Sequence, residues 1–324
     1  MCAPEFVDAA VRDKIAAYRA RANTPTESPF GADDEVGMPN LLSVESMRSV
    51  IGSVDLHKVI DLSVDYFIEM PGWTSLTGDP PFQIWMSHTP QGQINRDNLG
   101  VGTEQNELVS YSGDCVSMYT HCGTHLDALN HFGYRGRLWN GFSAQEHLGS
   151  RHWTVAGADR QPPVIARGVL IDVVRLHEQD MLPDGYGIGE EDLRGALDQQ
   201  ETELHPGDVV MVRTGRMRAW PDGDRYQMNA PGLNRNGAEF LARAGAVIIG
   251  ADNSALEQMP SADPDNWLPV HTYLLAEAGV PIMEVVNLED LAGEELYEFA
   301  YIGACLRFRG ATAAPIRPLA LPIK

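Results

Sequence analysis

The sequence predicts an α/β fold, and three observations carry that reading. Two short, unbroken apolar runs in the C-terminal half, Asp208–Thr214 (DVVMVRT) and Ala246–Gly250 (AVIIG), have the composition of strands buried on both faces. Helix-period segments at Glu190–Gln200 and Gly237–Ala244 lie between and beside them, so strands and helices interleave. The 324 residues also carry no internal repeat and no low-complexity linker. Residues 51–324 are therefore assigned to one domain, and residues 1–50 to an N-terminal helical arm with an extended segment.

Taken in order, residues 5–22 read as an amphipathic helix with Val7, Val11, Ile15 and Tyr18 on one stripe. A polar, Pro-containing stretch follows without a clear period. Ser43 can cap a short helix that ends at Gly52, with Glu45 in its first turn. Val59–Ser63 reads as a strand, and Glu69–Asn98, rich in Pro, Gly and aromatics, as loops and short strands. Val164–Val174 is rich in β-formers, and Glu190–Gln200 is helical with Leu193, Ala196 and Leu197 apolar. Gly245 closes the helix of 237–244. His271–Ala278 reads as a helix capped by Gly279, followed by a strand over Pro281–Val286. Phe299–Phe308 is a last apolar segment before a tail punctuated by Pro.

Charge narrows the function. Lys and Arg number 24 against 45 Asp and Glu, giving 24 − 45 = −21. That balance argues against nucleic acid or an anionic membrane as partner, because phosphate binding relies on Lys and Arg. No apolar run approaches the roughly 18 residues needed to cross a bilayer. The first twenty residues lack a basic region followed by an apolar stretch, so a cytoplasmic location is expected. Four Cys spread through a chain of this length do not form a disulfide framework.

One window stands out. With 10 His in the chain, eleven residues should hold about a third of one by composition alone. His121 to His131 (HCGTHLDALNH) holds three, with Asp127 among them. Imidazole nitrogen and carboxylate oxygen are the donors that Zn, Mn and Fe accept. On a helix, Asp127 would lie about 240° round from His121, whereas an extended segment points 121, 123, 125 and 127 to one side. An extended or irregular ligand loop is the better fit, with Gly123 leaving room for an ion against the backbone. Cys122 then points away as a small packing residue. Far downstream, His271 opens a helix and Glu284 sits in an apolar strand, where a carboxylate needs a partner or a cation. An ordinary buried ion pair explains that couple equally well. Asp252, just past a strand's C-terminal end, reads most simply as the start of a turn. Trp73, Phe82, Trp85, Phe132 and Trp139 can wall a pocket or belong to the core.

The same window resembles the H-x-G-T-H-x-D-x-P-x-H signature of the metal-dependent cyclase family, which includes bacterial kynurenine formamidases and isatin hydrolases. Leu129 stands where shorter members carry Pro. Phe30–Gly37 with Asn40-Leu41-Leu42 resembles the opening of the family's longer members. VIDLS at 59–63, MPGW at 70–73, GDVVMVRTG at 207–215, APGL at 230–233, GADNS at 250–254 and VHTYLLAEAGVPIMEVVNL at 270–288 follow in the family's order. The resemblance implies a swivelling β/β/α fold and a homo-oligomer, a homodimer or homotetramer. It also implies His121, His125 and Asp127 as metal ligands, completed by His271 and Glu284 where two ions bind. By the same resemblance His131 is the catalytic residue, and Trp73 a substrate contact, with Phe132 beside the cluster as a second.

The expected activity is hydrolysis of an amide, lactam or related acyl bond of a small, cyclic or aromatic substrate. One or two divalent ions, Zn or Mn, lower the pKa of a coordinated water to about 7, and His131 moves the proton. Two other readings stay open: a non-haem iron oxygenase built on His125, Asp127 and His271, and a metal-dependent ligand-binding protein without catalysis.

Overall fold

The computed structural model describes residues 26–324, so the helix expected over 5–22 lies outside the described residues. Thirteen strands are described: β1 (Ile60–Asp61), β2 (Gln83–His88), β3 (Gly113–Ser117), β4 (His125–Asp127), β5 (Val164–Asp172), β6 (Gly187–Ile188), β7 (Val209–Arg213), β8 (Gly232–Leu233), β9 (Ile248–Ala251), β10 (Ile282–Glu284), β11 (Glu298–Gly303), β12 (Ala313–Pro315) and β13 (Leu319–Pro322). Nine of them form one sheet in the order β1-β13-β11-β5-β7-β9-β10-β4-β12. At its centre β5, β7, β9 and β10 run parallel; the flanking pairs are antiparallel. The two apolar runs are central strands, and every residue of β7 and β9 is buried, as the unbroken pattern requires.

Helices cover the sheet where their sequences predict. Ser43 caps the helix Val44–Ser53, its hydroxyl accepting from the Ser46 N–H. The helix Glu190–Gln199 buries Leu193, Ala196 and Leu197 and carries three carboxylates in its first turn, where the helix dipole favours them. Asn234 caps Arg235–Ala244, and Gly245 ends it in the left-handed region. The segment from 271 onward begins as a turn of α-helix over Pro269–His271 and widens to a π-helix over Thr272–Ala278, ending on left-handed Gly279.

The Pro- and Gly-rich stretch is more ordered than its composition suggests. It holds a one-turn helix at Thr74–Thr77, β2, and a helix at Pro90–Arg96 whose Thr89 cap accepts from the Gly92 N–H. Among the described residues, strands β2 and β3 pair only with each other. Among the aromatics, Trp139 is wholly buried and donates Nε1–H to Asp34, and Phe82 packs with Met70 and buried Cys122, whose thiol burial pushes up to about 11. No helix among the described residues is long and apolar enough to cross a membrane.

Candidate metal centre

Strand β4 delivers two of the ligand candidates. His125 and Asp127 are two residues apart, so both face one side of the sheet. In β10, Glu284 pairs directly across from His125, which sets its carboxylate beside them. The extended geometry expected for the whole window holds only for 125–127. Residues 121–124 form a bend, pinned by Thr124, whose hydroxyl donates to Val285 O at 2.7 Å and accepts from the Val64 N–H at 2.9 Å. The bend, not a strand, brings His121 back over Asp127. Gly123 serves that bend and not an ion: its φ is +57°, and a Cβ there would meet the Tyr66 ring at 2.6 Å. The following turn needs no proline. Leu129 is buried in the core, and the His131 N–H closes the turn on Ala128 O at 3.0 Å.

All six candidates from the sequence converge. His121 Nδ1 lies 2.8 Å and His125 Nε2 3.3 Å from Asp127 Oδ1. On the other carboxylate oxygen, Oδ2, both His131 Nε2 and His271 Nε2 lie at 3.7 Å. Glu284 spans the two sides, 3.3 Å from His125 Nε2 through Oε2 and 3.2 Å from His271 Nε2 through Oε1. Two sets of donors therefore share Asp127: His121, His125 and Asp127, and Asp127, His131 and His271. His131 thus stands among the donors and also lines the cleft in front of them.

The donor set passes a direct test of fit to a cation. His125 Nε2, both Asp127 oxygens and Glu284 Oε1 are buried without a hydrogen-bond partner. Four such atoms in one spot would cost several kcal/mol unless a positive charge meets them. The titration tendencies agree. Burial opposes charge on His125 and His271, yet the adjoining carboxylates outweigh it and raise both to about 10. Burial likewise opposes charge on Asp127, and His121 and His131 nonetheless hold it well below the usual carboxylate range. The carboxylates favour positive charge in front of them, and a cation bound there would displace the protons of both imidazoles. His131 is the exception, driven well below its ordinary value by burial and by the neighbouring imidazoles.

Backbone and outlying contacts fix the ligand atoms. His125 donates Nδ1–H to Gly123 O at 2.8 Å, leaving Nε2 for the site. His121 Nε2 meets Thr312 Oγ1 at 2.9 Å. Sequence reasoning missed Glu257, which is buried and takes the Nδ1–H of His271 at 2.6 Å. It also missed Val285, a β-branched residue at φ +56° directly after Glu284, a strained position that Asn253 O holds through the Val285 N–H at 3.0 Å. Nothing in the local sequence marks either one. Asp252, expected to start a turn, is wholly buried and ties β9 to the end of β7, accepting from Thr214 N–H at 2.8 Å and Gly215 N–H at 2.8 Å.

In front of the ligand cluster lies a cleft with room for about 100 Å³. Trp73 and Phe132, both expected as substrate contacts, line it. So do Tyr119 and Trp267, which the sequence did not single out; Trp267 is 69% exposed and its ring centroid is 5.8 Å from that of Phe132.

Comparison with known proteins gives one consistent result. The sequence model of the Cyclase family matches residues 60–258. A kynurenine formamidase from Geobacillus thermodenitrificans is 24% identical over 241 residues, covering 74% of this chain and 91% of its own. The crystal structure of a cyclase superposes with a TM-score of 0.78 at 27% identity, covering 90% of this chain and 98% of that one. Isatin hydrolase A from Labrenzia aggregata shares the fold, with a TM-score of 0.62 at 19% identity over 87% of this chain and 98% of its own.

Proposed function

This chain belongs to the cyclase family, and from that premise we propose that it is a metal-dependent hydrolase cleaving an amide, lactam or related acyl bond of a small cyclic or aromatic substrate. The observation that supports this most directly is Asp127, whose two buried oxygens each face a pair of imidazoles and accept no well-aligned hydrogen bond. His121, His125, Asp127, His271 and Glu284 would hold the cation, Zn or Mn, with Asp127 as the shared ligand where two bind. A divalent ion there supplies Lewis acidity, bringing a water's pKa toward about 7 and polarising an acyl carbonyl.

The remaining chemistry belongs to the chain's own side chains. His131 lines the cleft with its Nε2 3.7 Å from Asp127 Oδ2, where it can take a proton and return it to the leaving nitrogen or oxygen. Trp73 and Phe132 flank the cleft, where they can hold a flat acyl group and exclude water. The oxygenase alternative would leave His121, His131 and Glu284 without a task, although all three adjoin the same centre.

We also place the protein in the cytoplasm as a homo-oligomer. The apolar surface of β2 and β3 supports assembly: Ile84, Trp85, Met86 and Val116 are exposed on a two-stranded sheet that no other described strand extends.

The deciding experiment is a panel of amides, lactams and lactones assayed against protein of measured metal content, with His131→Ala beside it. Metal-dependent turnover of at least one member is expected. Loss of turnover in His131→Ala with metal content unchanged would assign His131 to proton transfer, whereas loss of metal would make it a ligand. No turnover by metal-replete protein across the panel would leave a ligand-binding module.

A further inference from the structure

The charged groups around the cleft are unusually one-sided. Besides histidines, the ionisable side chains on its wall among the described residues are Asp79, Tyr119 and Glu284, and none of those lining residues is Lys or Arg. Behind the wall stand Asp127 and Glu257, both buried. Asp127 and Glu284 face the candidate cation and Glu257 is bonded to His271, so Asp79 is the carboxylate of this wall left to meet a substrate. A cleft whose walls carry one sign of charge acts on a ligand before contact as well as after it.

Asp79 is the carboxylate outside the metal cluster, and the structure places it deliberately. It is half-buried, two residues beyond the one-turn helix Thr74–Thr77 that follows Trp73. The Thr77 hydroxyl contacts both the Trp73 carbonyl, at 2.9 Å, and Asp79 Oδ2. One hydroxyl thus links the aromatic wall to the acid beside it. A ring lying against Trp73 would share the cleft with Asp79.

Building on the hydrolase reading above, we infer that the cleft selects substrates by charge: it accepts uncharged or positively charged aromatic acyl compounds and rejects those bearing a carboxylate, with Asp79 as the specificity-determining residue. A carboxylate carried on the aromatic ring, away from the acyl group held at the cation, would lose part of its hydration, find no Lys or Arg among the described lining residues, and meet the like charge of Asp79. An ammonium group would find a counter-charge already oriented.

The test measures binding and turnover separately on the full-length, metal-loaded chain. Benzamide, 4-(aminomethyl)benzamide and 4-carbamoylbenzoate are titrated by quenching of tryptophan fluorescence, since Trp73 and Trp267 both line the cleft. The anionic member should bind about tenfold more weakly than the uncharged one, a difference of about 1.4 kcal/mol. Asp79→Asn should shrink that ratio to about threefold or less, and Asp79→Glu should restore it. The three matching formanilides are then assayed for hydrolysis. Equal binding of anion and neutral ligand, no binding by any of the three, or a ratio indifferent to Asp79→Asn would overturn the inference. Charge-ordered binding without turnover of any formanilide, or of any member of the amide, lactam and lactone panel, would remove the hydrolase reading and leave charge selection standing. Turnover without charge order would do the reverse.

Discussion

His271 and Glu257 form the tightest contact behind the metal centre: Nδ1–H donates to Oε1 at 2.6 Å, and the same oxygen accepts the His271 backbone N–H at 2.9 Å. Two bonds from one carboxylate oxygen fix both the position and the tautomer of the ring. Nε2 is left to point at Asp127 and Glu284. Partners of this kind set ligand orientation and basicity, and their loss typically costs about 10–100-fold in metal affinity.

Glu257→Gln keeps the shape but removes the charge, and turns an amide N–H toward a backbone donor or toward Nδ1. Metal affinity, read by competition with a chromophoric chelator, should fall by about 10-fold or more. Activity should return when metal is supplied in excess. Unchanged affinity would mean that the pair serves packing alone.

Gly123→Ala tests the bend that carries His121. Position 123 has φ +57°, and the new methyl would lie 2.6 Å from the Tyr66 ring, whose hydroxyl is itself held by Thr124 O at 2.5 Å. The ring cannot move away without breaking that bond. The left-handed backbone and the overpacking together should destabilise the metal-free protein by about 2–4 kcal/mol. Urea unfolding in chelator measures that loss apart from any change in metal affinity, and a change below about 0.5 kcal/mol would show that the bend tolerates a side chain.

The limits of what the sequence disclosed follow from which contacts are local. His125 and Asp127 could be read because a strand repeats every two residues, and Glu284 because a carboxylate in an apolar run demands an explanation. That Glu284 lies across from His125 is a matter of register between β10 and β4, 159 residues away by number (284 − 125), and no local pattern encodes it. Glu257 is hidden for the same reason: its partner is reached only after the chain folds back over 14 residues. Thr312, which holds His121 from 191 residues away, is hidden more deeply still. The central strands were plain because both faces are buried. The segment from 83 to 117 was not, because β2 and β3 expose apolar and polar residues alike and show neither period clearly.

Those exposed residues lead to a prediction about assembly. Trp85 is 51% exposed and Met86 52%, on a pair of strands joined to no third among the described residues. If copies of the chain cover this surface, Trp85→Asp should shift the mass measured by light scattering after size exclusion toward the monomer at micromolar concentration. The circular dichroism of the large sheet should remain. An identical mass for both proteins would place the interface elsewhere.

Asp252 gives a pH dependence with a definite sign. Its carboxylate, wholly buried at the end of β9, accepts from the Thr214 N–H, the Thr214 hydroxyl at 2.6 Å and the Gly215 N–H. Burial raises its pKa to about 6, against the pull of the Thr214 bonds and of Arg213. In the unfolded chain the group titrates near 3.8. Below that value both states are protonated and the group is neutral in its effect. As pH rises, the unfolded chain gives up the proton first, so the folded state binds more protons and stability falls by about 1.4 kcal/mol per unit until the folded group also ionises near 6. Asp252→Asn cannot titrate. Wild-type stability minus that of the variant should therefore decline by about 2 kcal/mol between about pH 4.5 and 6, and then level off. Urea unfolding of chelator-treated protein across that range reads it directly, with all other groups cancelling in the difference. A difference that stays flat, or that rises with pH, would mean that the three donors outweigh burial and hold Asp252 ionised throughout.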